Sequence, residues 1–310
     1  MKKILKSLIA LALVFALIVP TAMAAEPTPN YEIDVTKKLS EVTGDDAHFN
    51  GNTYTYELTD GDEGLLKFKD GNTIELAAGS DAGTEGKLQL VIDQIYLQTL
   101  QPGKHEYKLS ESANPVDGET NTPLGEKTIE VTVYRNVDSG KMEAVVLVKG
   151  NDEDQKSNLS SETKFATHKL VVTKKIEGNN ADFTDKFDFD VTITGQENDK
   201  YKVNDEELTY AADGAKIQVK EIGKDGTITI TGLTPKDVTD VVEVANEKGY
   251  EVKYGEIEQA EDGNKTQVII NTKNAEIPTG VIETVAPFAL VLVAAVAFGF
   301  VYFKKRSVEA

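Results

Sequence analysis

The chain has 310 residues, no cysteine, and 52 acidic against 33 basic side chains, for a formal charge of −19. The missing cysteines exclude disulfides and thiolate metal sites. The negative balance argues against a nucleic-acid partner, whose phosphates it would repel. Three histidines, His48, His105 and His168, are scattered without metal-ligand spacing, so they are expected at the surface or at edges, with no metal and no other cofactor.

The chain opens with Lys2, Lys3 and Lys6, an apolar stretch from Leu8 to Val19, and the small-x-small triplet Ala22-Met23-Ala24. That order predicts a signal peptide over residues 1–24, because the apolar centre is too short to span a bilayer and runs into Pro20. The mature chain is then expected to begin at Ala25 and to be exported.

Between this leader and the apolar C-terminal end, most of the chain is strand and turn. Thr53 to Leu58 alternates, with Tyr54, Tyr56 and Leu58 on one face; Leu88 to Leu100 predicts a helical turn. Lys127 to Tyr134 alternates through Ile129, Val131 and Val133, and Met142 to Val148 is a more continuously apolar strand. Asn151–Asp154, running into Gln155–Ser161, reads as a solvated loop. Strands are predicted at Lys169 to Ile176, Thr227 to Thr231, Tyr250 to Tyr254 and Thr266 to Thr272. The clearest is Phe187 to Thr194, with four apolar residues on one face and acids and hydroxyls on the other. Turns such as Asp70-Gly71-Asn72, Asp225-Gly226 and Asp262-Gly263-Asn264 separate them. Short alternating strands with regular turns predict an all-β chain of immunoglobulin-like sandwiches, and the residues between the two ends suffice for two of them.

The C-terminal end has three parts in fixed order. Ile277-Pro278-Thr279-Gly280 is a thin, extended peptide suited to a protease cleft. Val285–Phe303 carries no charge and as a helix would be about 28 Å long, enough to cross a hydrocarbon core. Lys304, Lys305 and Arg306 then hold the tail on the cytoplasmic side. This cassette resembles the cell-wall sorting signal of Gram-positive surface proteins. By that resemblance residues 276–280 are the sorting motif, 281–303 the transmembrane helix and 304–310 the basic tail. A sortase cysteine would attack the Thr279 carbonyl, release Gly280, and pass the acyl group to an amine.

Ile33-Asp34-Val35-Thr36-Lys37-Lys38-Leu39 is repeated as Leu170-Val171-Val172-Thr173-Lys174-Lys175-Ile176. Period-two geometry places Lys37 on the face of Ile33, Val35 and Leu39, and Lys174 on the face of Leu170, Val172 and Ile176. Lys38 and Lys175 point to water. An ammonium among core residues needs an acid partner, a lowered pKa, or removal of its charge. Glu111 shares a face with Tyr107 and Leu109, and Glu243 with Val241 and Ala245. Spacing alone is equally consistent with two ordinary ion pairs, or with lysines that reach an edge.

From Val171-Val172-Thr173-Lys174-Lys175-Ile176-Glu177-Gly178-Asn179 to its tail, the chain resembles the backbone pilins of Gram-positive sortase-assembled pili. Those of the streptococcal type, with two immunoglobulin-like (Cna-B-like) isopeptide-linkage domains, are nearest. The most specific match is Glu276-Ile277-Pro278-Thr279-Gly280-Val281, continued by Thr284-Val285-Ala286-Pro287-Phe288-Ala289. The resemblance covers leader, two domains and anchor, with looser matching in loops and in much of the first domain. It implies pilin isopeptide domains over residues 25–168 and 169–275.

In that family a first-strand lysine condenses with a last-strand asparagine, assisted by a glutamic acid. Apolar burial lowers the pKa of an amine and raises that of a carboxylic acid, which leaves a nucleophile and a proton donor. The resemblance implies Lys174, Asn271 and Glu243 as the second-domain triad. In the first domain Lys37 and Glu111 fit, but the expected asparagine falls on Thr167, in Phe165-Ala166-Thr167. Either the bond is absent there, or an asparagine such as Asn158 reaches in, or the alignment is shifted; absence is the expectation. Polymerisation would also need an exposed lysine late in the first domain, for which Lys156 and Lys164 are the candidates, with Lys149 behind them.

The resulting expectation is a structural protein and no enzyme: a wall-anchored, sortase-processed pilus shaft subunit at the cell surface. Its partners would be sortase, neighbouring subunits and peptidoglycan. The alternative is a wall-anchored adhesin or minor pilin that binds a host or carbohydrate ligand.

Overall fold

The computed structural model describes residues 31–112, 114–149, 159–211 and 213–275. The predicted signal peptide, the sorting motif with Thr279 and Gly280, the apolar run, the basic tail, Lys156 and Asn158 lie outside the described residues. Among the described residues no helix is long and apolar enough to cross a membrane.

The first unit comprises β1 (Glu32–Thr43), β2 (Asn52–Thr59), β3 (Leu66–Phe68), β4 (Thr73–Leu76), β5 (Glu85–Ile92), α1 (Gln94–Leu97), β6 (Gly103–Glu111), β7 (Glu119–Thr122), β8 (Lys127–Arg135), β9 (Met142–Lys149) and β10 (Ser160–Ala166). Two sheets, β3-β5-β1-β10-β7 and β4-β2-β6-β8-β9, enclose a core that includes Val35, Leu39, Tyr54, Tyr56 and Tyr107. The second unit comprises β11 (His168–Glu177), β12 (Phe187–Thr194), β13 (Lys200–Val203), β14 (Glu206–Thr209), β15 (Ala215–Ile222), β16 (Thr227–Leu233), β17 (Val238–Glu243), β18 (Glu251–Tyr254), β19 (Glu258–Gln259) and β20 (Lys265–Thr272). Its sheets are β14-β13-β16-β11-β20-β18, with β19 also on β20, and β15-β12-β17. The predicted strand from Phe187 is β12, and Phe187, Phe189, Val191 and Ile193 all face the core.

The helical turn expected within Leu88–Leu100 is Gln94–Leu97, while Leu88, Leu90 and Ile92 before it alternate into the core as the end of β5. Asp93 starts that turn by accepting hydrogen bonds from the Ile95 and Tyr96 amides, both 3.0 Å. Residues Ser160 and Ser161, read as the end of a loop, already belong to β10. Its inward positions begin Ser161, Thr163, Phe165, and small hydroxyls hid the alternation.

The feature that organises both units is the pairing of first strand with last. β1 runs parallel to β10, and β11 runs parallel to β20. Each first strand then leaves through a glycine in the left-handed region, Gly44 at φ 105° and Gly178 at φ 110°. A Cβ at Gly44 would collide with the Thr167 carbonyl oxygen, and one at Gly178 with the Lys273 carbonyl oxygen. Only glycine lets these crossings pack so closely.

A single residue, Thr167, separates β10 from β11, so the units abut through polar contacts. Lys169 pairs with Asp45 at 2.8 Å, and Thr231 Oγ1 donates to Asp46 at 2.7 Å. Asp117 accepts from Thr234 Oγ1 at 2.7 Å and from the Lys236 amide at 2.8 Å. His168, expected at the surface or at an edge, is buried here because it opens β11 inside this junction. Asp117→Ala should strand two donors and cost about 1–3 kcal/mol, seen in calorimetry as weaker coupling between the two unfolding transitions.

Candidate functional site

Lys174 projects from β11 into the second core, where its side chain is 1% exposed and lies 4.6 Å from the Phe187 ring. The β11–β20 register sets Ile176 opposite Asn271, two residues beyond the lysine. That spacing brings the fully buried Asn271 to the amine, and Lys174 Nζ donates to Asn271 Oδ1. Glu243, at the end of β17 on the facing sheet, closes the group. Its Oε2 lies 2.7 Å from Lys174 Nζ, and its Oε1 accepts from Asn271 Nδ2 at 2.8 Å. Asn246 Nδ2 and the Tyr254 hydroxyl help hold Glu243 in place. Burial pushes the Lys174 pKa below the ordinary lysine range, against the opposing pull of Glu243. One carboxyl group therefore touches a buried amine with one oxygen and a side-chain amide nitrogen with the other. Such an arrangement can carry a proton between the two.

Lys37 is equally buried in the first core. Its Nζ donates to Glu111 Oε1 at 2.7 Å, and burial again lowers its pKa against the pull of Glu111. The carboxamide beside it belongs to Asn121 of β7, whose Oδ1 accepts from Lys37 Nζ at 2.5 Å. Asn121 Nδ2 donates to Glu111 Oε1 at 3.2 Å, and the Leu124 amide fixes Glu111 Oε2 at 2.9 Å. The sequence carried no sign of Asn121. β7 reads Glu119-Thr120-Asn121-Thr122, with no apolar residue to mark its inward face.

The expected position Thr167 lies elsewhere, past the end of β10 against Gly44. Counted from the lysine, the residue of β10 that corresponds to Asn271 is Thr163, paired with Leu39. β1 runs on to Thr43 with a bulge after Leu39, whereas β11 ends at Glu177. The longer reach from Lys37 to the junction accounts for the displaced alignment.

Comparison with known proteins fits this architecture. Residues 168–276 match a family described as a domain of unknown function, DUF7601. A pilin of Streptococcus pyogenes serotype M1 is 26% identical over 256 residues, covering 73% of this chain and 74% of the relative. The major pilin of Streptococcus pyogenes has the same fold: its crystal structure superposes with a TM-score of 0.57 at 15% identity, over 80% of this chain and all of the other. The chain is similar to the streptococcal major pilins.

A second of these, the T3.2 major pilin of S. pyogenes, gives a TM-score of 0.55 at 18% identity over 79% of this chain and 99% of the other. Against this pilin-like frame, Lys164 lies on β10 with its side chain 56% exposed, paired to Glu41 at 2.8 Å. Lys149 closes β9 between Glu130 at 2.8 Å and Glu106 at 3.2 Å.

Proposed function

We propose that the chain is the shaft subunit of a covalently polymerised surface pilus, processed by sortase and wall-anchored, with Lys174 and Asn271 joined by a self-formed isopeptide bond. The similarity to streptococcal pilins, which runs through both sandwiches, carries this reading. For the internal bond, the support is the buried contact of Lys174, Asn271 and Glu243 across the first and last strands. The neutral amine, formed when Nζ passes its proton to Glu243, adds to the Asn271 side-chain carbonyl carbon. Glu243 takes a proton from the attacking nitrogen and gives one to Nδ2. The old C–N bond breaks, ammonia leaves, and Glu243 ends as the neutral acid, keeping the proton it first took from the ammonium. Loss of the amine charge also removes the cost of burying it.

Traction on such a shaft enters β11 and leaves through β20, and parallel neighbours pulled in opposite directions shear along their hydrogen-bonded ladder. A covalent tie between them carries the load first. In the assembled fibre, Thr279 would be joined to a lysine of the next subunit, Lys164 and Lys156 being the candidates, and peptidoglycan would receive the last one. Co-expression with the cognate sortase should give a ladder of covalent multimers on a denaturing gel, and Thr279→Ala should give monomer alone. A wild-type chain that stays monomeric would favour the adhesin reading instead.

A further inference from the structure

We propose that Lys37 and Asn121 also join, giving the first sandwich a bond closed on β7 instead of on its last strand. The chemistry rests on the reading given for Lys174, while the geometry is independent of it. Lys37, Glu111 and Asn121 repeat the amine, acid and carboxamide of the second core from different strands. Lys37 Nζ also donates to the Glu162 carbonyl oxygen at 3.2 Å and lies 4.4 Å from the centre of the Tyr54 ring. Sheet order explains how the lysine reaches so far. β10 lies between β1 and β7, Lys37 pairs with Ser161, and Thr163 pairs with Asn121. Two small inward residues on β10 leave room for the lysine stem to cross over that strand. Thr163, hydrogen-bonded to Glu119, stands where the second domain has Asn271.

The step balances as before. Lys37 Nζ, its proton first passed to Glu111, adds to the Asn121 side-chain carbonyl carbon. Glu111 takes one proton from the attacking nitrogen and returns one to Nδ2. One C–N bond forms, one breaks, and ammonia departs.

The position of the bond changes what tension can do. A tie from Lys174 to Asn271 locks nearly all of the second sandwich inside its loop. A tie from Lys37 to Asn121 locks β2 to β6 but leaves β8, β9 and β10 in the load path. When the β1–β10 ladder shears, about 45 residues should pay out, roughly 150 Å fully extended. The first domain would thus be a short extensible link, with β10 held under a covalent strap until it slides free.

Intact-mass measurement and peptide mapping of the purified protein test this. Wild type should be light by two ammonia molecules, and a digest should contain the Lys37 peptide linked to that of Asn121. Asn121→Ala should restore one ammonia and Asn271→Ala the other. If wild type is light by one, restored only by Asn121→Ala, this bond stands and the second-domain reading fails. If only Asn271→Ala restores it, the reverse holds. A free Lys37 peptide, or loss of water through linkage to Glu111, would overturn the proposal; the wild-type map needs no variant to fold. Pulled from its two ends, the first domain should lengthen by roughly 150 Å; a gain near 450 Å means no bond, and none at all means closure on β10.

Discussion

Asn271→Ala should lower the melting temperature of the second domain by roughly 20–30 °C while leaving the first-domain transition in place. The proposed bond closes a loop between residues 97 apart in sequence. Under the chain-entropy account of cross-links, a loop of that size contributes about 4–5 kcal/mol. Each kcal/mol moves the midpoint of a domain this small by roughly 4–8 °C. The alanine also removes the carboxamide that faces Lys174 and leaves an ammonium in the core, so the loss should not fall below the entropic figure. Scanning calorimetry resolves the two domains. A second-domain transition displaced by only a few degrees would show that nothing covalent had been lost.

Glu243→Gln should fold with Lys174 and Asn271 still adjacent, yet form the bond about 10²–10⁴-fold more slowly, as expected when a proton carrier is removed. Glutamine keeps the shape and can accept from the amine, but it cannot shuttle a proton between Nζ and Nδ2, which Glu243 meets at 2.7 and 2.8 Å. Freshly purified variant should retain the second-domain ammonia that wild type has lost, and mass spectrometry over days should follow any slow closure. Wild-type closure kinetics in this variant would remove Glu243 from the chemistry.

The same variant should acquire a pH dependence that the bonded protein lacks. Burial already lowers the Lys174 pKa, and the variant loses the opposing charge of Glu243. The unfolded chain then binds more protons than the folded one between the depressed folded pKa and the ordinary lysine value. Stability of the unbonded domain should therefore rise with pH across that window and level off above it. Once the nitrogen is an amide it no longer titrates, so bonded wild type should show no such contribution. Denaturant midpoints at a series of alkaline pH values distinguish the two.

The sequence was most informative where a strand has one wet face. β2, β8 and β12 announce themselves through aromatic and β-branched residues at every second position, and the repeated Lys-Lys pair marked Lys37 and Lys174 as inward by the same alternation. It was least informative where the inward residues are themselves polar. β7 and β10 present Glu119, Asn121, Ser161 and Thr163 to the interior, and no hydrophobic period betrays them.

Local chemistry alone therefore determined that this chain is β-rich, repeats a lysine on the core face at the start of each sandwich, and places an acid late in each. Asn271 was already expected beside Lys174 from the family resemblance, but which carboxamide Lys37 meets was decided only by the tertiary structure. That choice depends on strand order and register, and both are set by contacts far apart in sequence. A one-strand displacement of the carboxamide, from the neighbour of β11 to the strand beyond the neighbour of β1, leaves every local pattern intact while changing which segment of the domain a covalent tie would enclose.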